Sequence, residues 1–158
     1  MPPSKSVPVT KAGLKKLRAE LQDLIENKRI ETAAHLQQTR EDSPGSQNEG
    51  EYEEAKNEQA FIEGRIRTIE QILNNTELID EKKAHQKDMV HLGATVTVSV
   101  ARREQVFTIV GMVEVDAGQG FISDESPVGR ALLGKKIGDT VAVEAPSGQI
   151  KMKIKKIK

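Results

Sequence analysis

Two stretches of this chain repeat apolar residues at alternating intervals of three and four, with a helix-breaking segment between them. Leu14, Leu17, Leu21 and Leu24 make the first stretch; Tyr52, Ala55, Gln59, Ile62, Ile66, Ile69 and Leu73 make the second. Such spacing lines each set along one side of an α-helix, as the seam of a coiled coil. The break is Ser43-Pro44-Gly45-Ser46. Proline lacks an amide proton and disfavours helix at the residue before it, and glycine permits a tight reversal. Thr10 can cap the first helix with its hydroxyl. That helix runs to about Glu41, which is about 30 residues or roughly 45 Å at 1.5 Å per residue. The second starts near Asn48 or Glu49 and ends at Asn74-Asn75-Thr76. Two long helices joined by a short loop pack as an antiparallel hairpin. The first seam weakens after Ile25: Lys28 and Glu31 fall where apolar residues belong, and Ile30, Ala33, Ala34 and Leu36 suggest a shifted stripe.

From Leu92 the apolar period changes from helical to two. Val96, Val98 and Val100 alternate with Thr97 and Ser99, the pattern of a half-buried strand. Arg102-Arg103-Glu104 reads as a turn into the returning strand Val106–Val110, and Gly120–Ser123 as a short third strand. Ser126-Pro127 opens a short helix, Val128 to Leu133, because serine caps and proline suits the first helical position. Gly134 ends it. Asp139–Val143 and Gln149–Ile154 flank Pro146-Ser147-Gly148 as a hairpin. The expected fold is α+β. Residues 1–9 are an N-terminal tail and residues 10–78 a coiled-coil hairpin with its tip at about 41–51. Residues 79–88 are a charged linker, and 89–158 a small antiparallel β domain with one short helix.

Composition removes several function classes. The chain has no cysteine, so disulfides and thiolate metal sites are excluded. No apolar run approaches the length of a membrane span, and no apolar segment follows Met1-Pro2-Pro3-Ser4-Lys5-Ser6 as a signal peptide requires, so a cytoplasmic protein is expected. With 24 basic and 24 acidic residues, non-specific DNA binding through a strongly basic surface is not expected. The balance is uneven: residues 1–78 carry 11 basic and 14 acidic groups, residues 79–158 carry 13 and 10.

Several blocks, in order, resemble one family. They are Glu51-Tyr52 with Glu54-Ala55-Lys56, then Glu58-Gln59-Ala60-Phe61-Ile62-Glu63-Gly64-Arg65-Ile66 on the second helix. In the second half they are Val96-Thr97-Val98, Thr108-Ile109-Val110-Gly111, Ile122-Ser123 and Ser126-Pro127-Val128-Gly129-Arg130-Ala131-Leu132-Leu133-Gly134-Lys135. Over nearly its whole length the chain is similar to the bacterial Gre (GreA/GreB) transcript cleavage factors. The resemblance implies an FKBP-like C-terminal domain that binds bacterial RNA polymerase at the rim of its secondary channel. It implies a monomer whose hairpin reaches through that channel to the nascent RNA 3′ end. Acidic tip residues would there share a Mg²⁺ with the polymerase active site, the factor holding no metal of its own in isolation. The polymerase, not the factor, then cuts its backtracked RNA and elongation resumes. Carboxylates suit Mg²⁺, which keeps several waters and takes few protein groups, and a second metal orients the attacking water. The same resemblance marks Ser126, Pro127, Gly129, Arg130, Leu132 and Gly134 as the polymerase-binding block. A capped helix closing the sheet, with Leu132 in the core, accounts for part of that block equally well.

The tip departs from the family pattern. The family reads Gly-Asp-Leu-x-Glu-Asn ahead of the equivalent of Gly50-Glu51-Tyr52, which brings an Asp and a Glu three residues apart. This chain has one extra residue there, and the acidic positions fall on Gly45 and Asn48. Between Glu41 and Glu54 it nevertheless has six carboxylates and no Lys or Arg. Asp42 and Glu49 flank the reversal and are the candidates for the metal pair. The alternative is that Asp42 ends one helix and Glu49 favours the start of the next. Two functions therefore stay open: a cleavage factor with a rearranged tip, or a paralogue that enters the channel and modulates the polymerase without cleavage. Tyr52, Lys56 and Arg40 are candidates for RNA contact, since tyrosine stacks on bases and cations meet phosphates. The run Lys151, Lys153, Lys155, Lys156 and Lys158 alternates with Met152, Ile154 and Ile157 as the wet face of a strand.

Three other classes are set aside. A prolyl isomerase needs an aromatic-lined pocket, and residues 79–158 hold only Phe107 and Phe121. No nucleophile elbow, phosphate loop or clustered histidine supports a hydrolase. A coiled-coil adaptor would keep its heptads over the full length.

Overall fold

The computed structural model describes residues 6–41, 49–80 and 88–158. The chain divides into two compact units. Leu14–Asn75 form one; the residues up to Gly13 join Thr76–Lys158 in the other.

In the helical unit, α1 (Lys11–Asp23) passes through a π-helical turn (Leu24–Lys28) into α2 (Arg29–Glu41), and α3 (Glu49–Asn74) returns. Side-chain pairs Glu20–Arg65, Arg29–Glu63 and His35–Glu58 link the two arms, with numbers rising on one as they fall on the other. That is an antiparallel hairpin. The seam expected on α3 forms: Ala55, Ile62, Ile66 and Ile69 are buried, and Tyr52, Gln59 and Leu73 half-buried.

On the other arm the stripe through Ile30, Ala33 and Ala34 does not form. Ile30 is 64% exposed, and both alanines are exposed. Instead Arg29, Thr32, Leu36 and Thr39 face inward, with Thr32 and Thr39 buried. The π turn is the reason. A heptad continued from Leu17, Leu21 and Leu24 lands on positions 28, 31, 35 and 38; the observed seam lies one residue later throughout. A π turn holds one residue more than an α turn and advances the register by that residue. The Thr32 hydroxyl donates to the carbonyls of Lys28 and Arg29 at 2.9 and 3.2 Å, which lets a polar side chain sit in the seam.

The second unit begins earlier than the sequence reading places it. Val7–Val9, expected in a tail, form β1 and pair in parallel with β2 (Thr76–Leu78). Val9 is fully buried. The Thr10 hydroxyl accepts from the Gly13 amide at 3.0 Å, so the expected N-cap is present. The Glu114 carboxylate in turn accepts from both the amide and the hydroxyl of Thr10.

The main sheet comprises β3 (Thr95–Val100), β4 (Arg103–Val110), β5 (Phe121–Ser123), β6 (Thr140–Ala145) and β7 (Gly148–Ile157), in the order β5-β4-β3-β7-β6. It is antiparallel except at one edge, where β4 and β5 pair in parallel. The sheet is therefore mixed, because two short 3₁₀ turns (Met112–Glu114 and Ala117–Gln119) carry the chain back before β5. The turn placed at Arg102–Glu104 is tighter than expected: Val100 pairs directly with Arg103 across a two-residue loop. One face of the sheet, with Val96, Val98, Ile109, Val141, Val143, Met152 and Ile154, packs with Leu132 of α4 (Pro127–Leu132) in a single core. The opposite face carries Lys151 and Lys153, both exposed.

Candidate functional site

The candidate residues fall at the end of the hairpin where α2 finishes and α3 begins, and around α4. At the hairpin end, Ala33, Leu36, Gln37, Arg40 and Glu41 recur at the i, i+3, i+4, i+7 and i+8 positions of α2, which places them on one face. With Tyr52 from α3 they line an open groove of about 580 Å³. Tyr52 is half-buried there, whereas Gln37, Arg40 and Glu41 are exposed. The Gln37 side-chain amide donates to the Glu41 carboxylate at 2.9 Å.

The structure thus brings together Tyr52 and Arg40, two of the three RNA-contact candidates. Lys56 is exposed one turn further along α3 and lies 3.9 Å from Glu53, outside the groove lining. Sequence reading missed Ala33, Leu36, Gln37 and Glu41. Their common helical face was legible, but it was read only for its apolar members. Glu49 is the first residue of α3 and exposed, with Glu51 in the same turn. Carboxylates there face the positive end of the helix dipole. Asp42 lies outside the described residues. Among the described residues no three or more acidic or histidine side chains converge as a metal site. The exposed carboxylates of Glu41, Glu49 and Glu51 are hard oxygen donors of the kind Mg²⁺ takes.

Further down the hairpin, Arg29 and Glu63 meet through two hydrogen bonds of 2.6 and 2.8 Å. The Arg29 hydrogen bonds hold the Glu63 carboxyl below its ordinary range. Glu20 raises Arg65 by the same kind of contact, at 2.6 and 2.9 Å.

At α4, the Ser126 hydroxyl accepts from the Gly129 amide at 3.0 Å and donates to the Ser123 carbonyl at 2.6 Å. Pro127 occupies the start of the helix, as expected. Gly129 is buried against the Ser123 backbone; a Cβ there would lie 2.0 Å from that carbonyl oxygen. Gly134 takes a left-handed conformation, φ 75°, and its amide bonds to the Val90 carbonyl. Leu132 is fully buried. Of the six block residues, Pro127, Arg130 and Gly134 are exposed, and Ser126, Gly129 and Leu132 shape the helix that carries Pro127 and Arg130.

Two family models match, "Transcription elongation factor, N-terminal" over residues 7–78 and "Transcription elongation factor, GreA/GreB, C-term" over residues 85–158. The chain is 50% identical to transcription elongation factor GreA of Caldanaerobacter subterraneus subsp. tengcongensis, over 98% of this chain and 99% of that one. It is 52% identical to GreA of Thermoanaerobacter pseudethanolicus over the same shares. Among solved structures, GreA factor homolog 1 of Thermus thermophilus is 29% identical with a TM-score of 0.45, covering 98% of this chain and 99% of that one. The chain is a two-unit factor built from a helical hairpin and a small β domain. It belongs to the GreA/GreB family of transcription elongation factors.

Among the described residues no helix is long and apolar enough to cross a membrane.

Proposed function

We propose that this protein works as a monomer on bacterial RNA polymerase in the cytoplasm and restarts elongation by stimulating cleavage of backtracked RNA. The β unit docks at the rim of the secondary channel through the exposed residues around α4. The hairpin end enters the channel and meets the nascent RNA 3′ end. Family membership supports the elongation role; the observation that carries the chemistry is an acidic hairpin end, with Glu41, Glu49 and Glu51 exposed beside the groove of Tyr52 and Arg40.

The residues divide the work by chemistry. The exposed Glu49 carboxylate, with Asp42, supplies oxygen ligands of the kind a shared Mg²⁺ takes. Bound there, Mg²⁺ would lower the pKa of a coordinated water and orient it. Arg40 offers a fixed cation to a phosphate, and Tyr52 a flat apolar ring to a base. Bond cleavage is assigned to the polymerase, with the factor contributing ligands and contacts rather than a nucleophile.

The test uses a backtracked elongation complex with Mg²⁺, with and without the factor. Release of 3′ RNA fragments should accelerate with the wild type and fall by at least tenfold in Asp42→Ala and Glu49→Ala, a loss of about 1.4 kcal/mol or more in transition-state stabilisation. Slowed elongation without fragment release would instead make the protein a modulator of the channel.

A further inference from the structure

We propose that the solvent face of the main sheet, along β7, is a docking surface for the phosphate backbone of single-stranded RNA, separate from the hairpin end. Lys151, Lys153, Lys155, Lys156 and Lys158 are all exposed there. Strict alternation would not keep them together: beyond Lys153 it would turn Lys156 and Lys158 inward with Met152 and Ile154. The pairing of β7 with β3 shows how the chain avoids this. Val98 is opposite Ile154 and Thr97 is opposite Lys156, so the register slips by one residue at Lys155. Such a bulge leaves one residue unpaired and exchanges the two faces for every residue beyond it. Ile157 is thereby buried, and Lys156 stays on the wet face with Lys151 and Lys153. Lys158 continues the row, held by two backbone hydrogen bonds to Thr95. The chain as a whole is neutral, but this face is not. Its acids are Glu104, opposite Ser99, and Glu144, opposite Gln149. Among the described residues none of these five lysines and two glutamates forms an ion pair.

The arrangement fits a chain of phosphates. Side chains two apart on a strand repeat at about 7 Å, so the row from Lys151 to Lys158 is a line of cations roughly 20 Å long. Each is a compact charge on a flexible stem, suited to a phosphate but not to the two-pronged recognition of a carboxylate. Beside the row on the same face stand Thr97 opposite Lys156, Ser99 and Thr140 opposite Lys153, and Ala142 opposite Lys151. Threonine and serine hydroxyls are donors that phosphate oxygens accept. A protein partner would call for an aromatic or apolar centre within the charges, and the positions flanking the lysines hold none larger than alanine. With no aromatic ring in the row, contact is to the backbone and independent of base sequence. The choice of RNA rests on the elongation role proposed above; the surface itself rests on the bulge and the five unpaired lysines.

The test is fluorescence anisotropy of a labelled oligouridine strand with the full-length protein over a range of salt. The wild type should bind with a Kd of roughly 1–100 μM at about 0.15 M salt. Log affinity should fall against log salt with a slope of about −3, from roughly −0.7 for each of four to five phosphates neutralised. Lys151→Gln, Lys153→Gln, Lys156→Gln and Lys158→Gln combined should weaken binding by at least about tenfold and bring the slope close to zero. These positions are exposed, so the variant should keep the wild-type Tm, which a thermal melt verifies. Arg40→Ala, at the hairpin end, should retain the binding. No binding by the wild type, undiminished binding by the lysine variant, or loss in Arg40→Ala alone would each overturn the surface. Displacement of the strand by polyglutamate of equal charge would assign it to an acidic protein instead, and tighter binding of duplex DNA of the same length would overturn the choice of RNA. The cleavage assay separates this from the broader reading. Stimulated cleavage without strand binding removes the surface and leaves the cleavage function; strand binding without stimulated cleavage does the reverse.

Discussion

Arg29 and Glu63 face each other across the hairpin with two parallel hydrogen bonds, Nε to Oε1 at 2.6 Å and the second guanidinium nitrogen to Oε2 at 2.8 Å. Arg29 is also the first seam residue after the π turn. A charged residue thus stands where a leucine would otherwise be, and its planar fork matches the carboxylate in a way a lysine cannot.

That pair makes the hairpin sensitive to acid. The Glu63 carboxyl is held down in the folded state, first by the Arg29 hydrogen bonds. Its contribution is therefore complete above the unfolded value of about 4.3 and is lost as pH falls through the lower folded value. Helical thermal melts followed by circular dichroism should drop in Tm as pH is lowered from about 5. Glu63→Gln should remove part of that dependence, and an unchanged acid profile would contradict it. Both side chains are partly exposed, at 42% and 33%, so added salt should weaken the effect.

Deleting Asn27 should leave the hairpin folded with Tm unchanged or higher. The residue is exposed, and its side chain donates to Asp23 at 2.7 Å on the same helical turn. Removing it turns the Leu24–Lys28 turn from π to α and puts Arg29 four places after Leu24, so the later seam keeps its face. Deleting Ala34 instead slides Leu36 and Thr39 off the seam. That change should cost about 2 kcal/mol or more, lowering Tm by roughly 8–16 °C in a unit of this size. Equal losses from the two deletions would refute the one-residue register shift.

Gly129→Ala should destabilise the β unit severely. The new methyl would stand 2.0 Å from the Ser123 carbonyl oxygen, a backbone atom that cannot swing away as a side chain can. Overpacking of this kind costs typically about 1–3 kcal/mol and here belongs at the upper end or beyond. Ser126→Ala, which only removes the cap, should cost about 1 kcal/mol. Denaturant unfolding of both variants checks the order.

The two-residue turn between β3 and β4 is strained. Ala101 and Arg102 have φ of 47° and 67°, a region that costs a residue with a Cβ about 1–2 kcal/mol. Replacing them with Asn and Gly, which suit a type I′ turn, should raise the Tm of the β unit by roughly 4–8 °C. A lower Tm would show that the two native side chains make compensating contacts.

The hairpin, its break and the content of the β unit were legible because each is a local pattern. Heptad spacing from Tyr52 to Leu73, alternation from Val96 to Val100, and Ser126-Pro127 as a helix start are written within a few residues of one another. The groove was half legible: Tyr52 and Arg40 were picked out singly, but the face from Ala33 to Glu41 that completes it was not.

What the sequence determined alone was therefore the succession of elements, the acidic character of the hairpin end and the family. Tertiary structure decided what local pattern leaves open. It decided that one π turn moves Thr32 and Thr39 inward and Ile30 outward, since a register is set only by the arm it packs against. It decided that Val7–Val9 pair with Thr76–Leu78, a contact between segments far apart in the chain that no period encodes. It decided that Gly129 must lack a side chain, because the Ser123 carbonyl occupies that space.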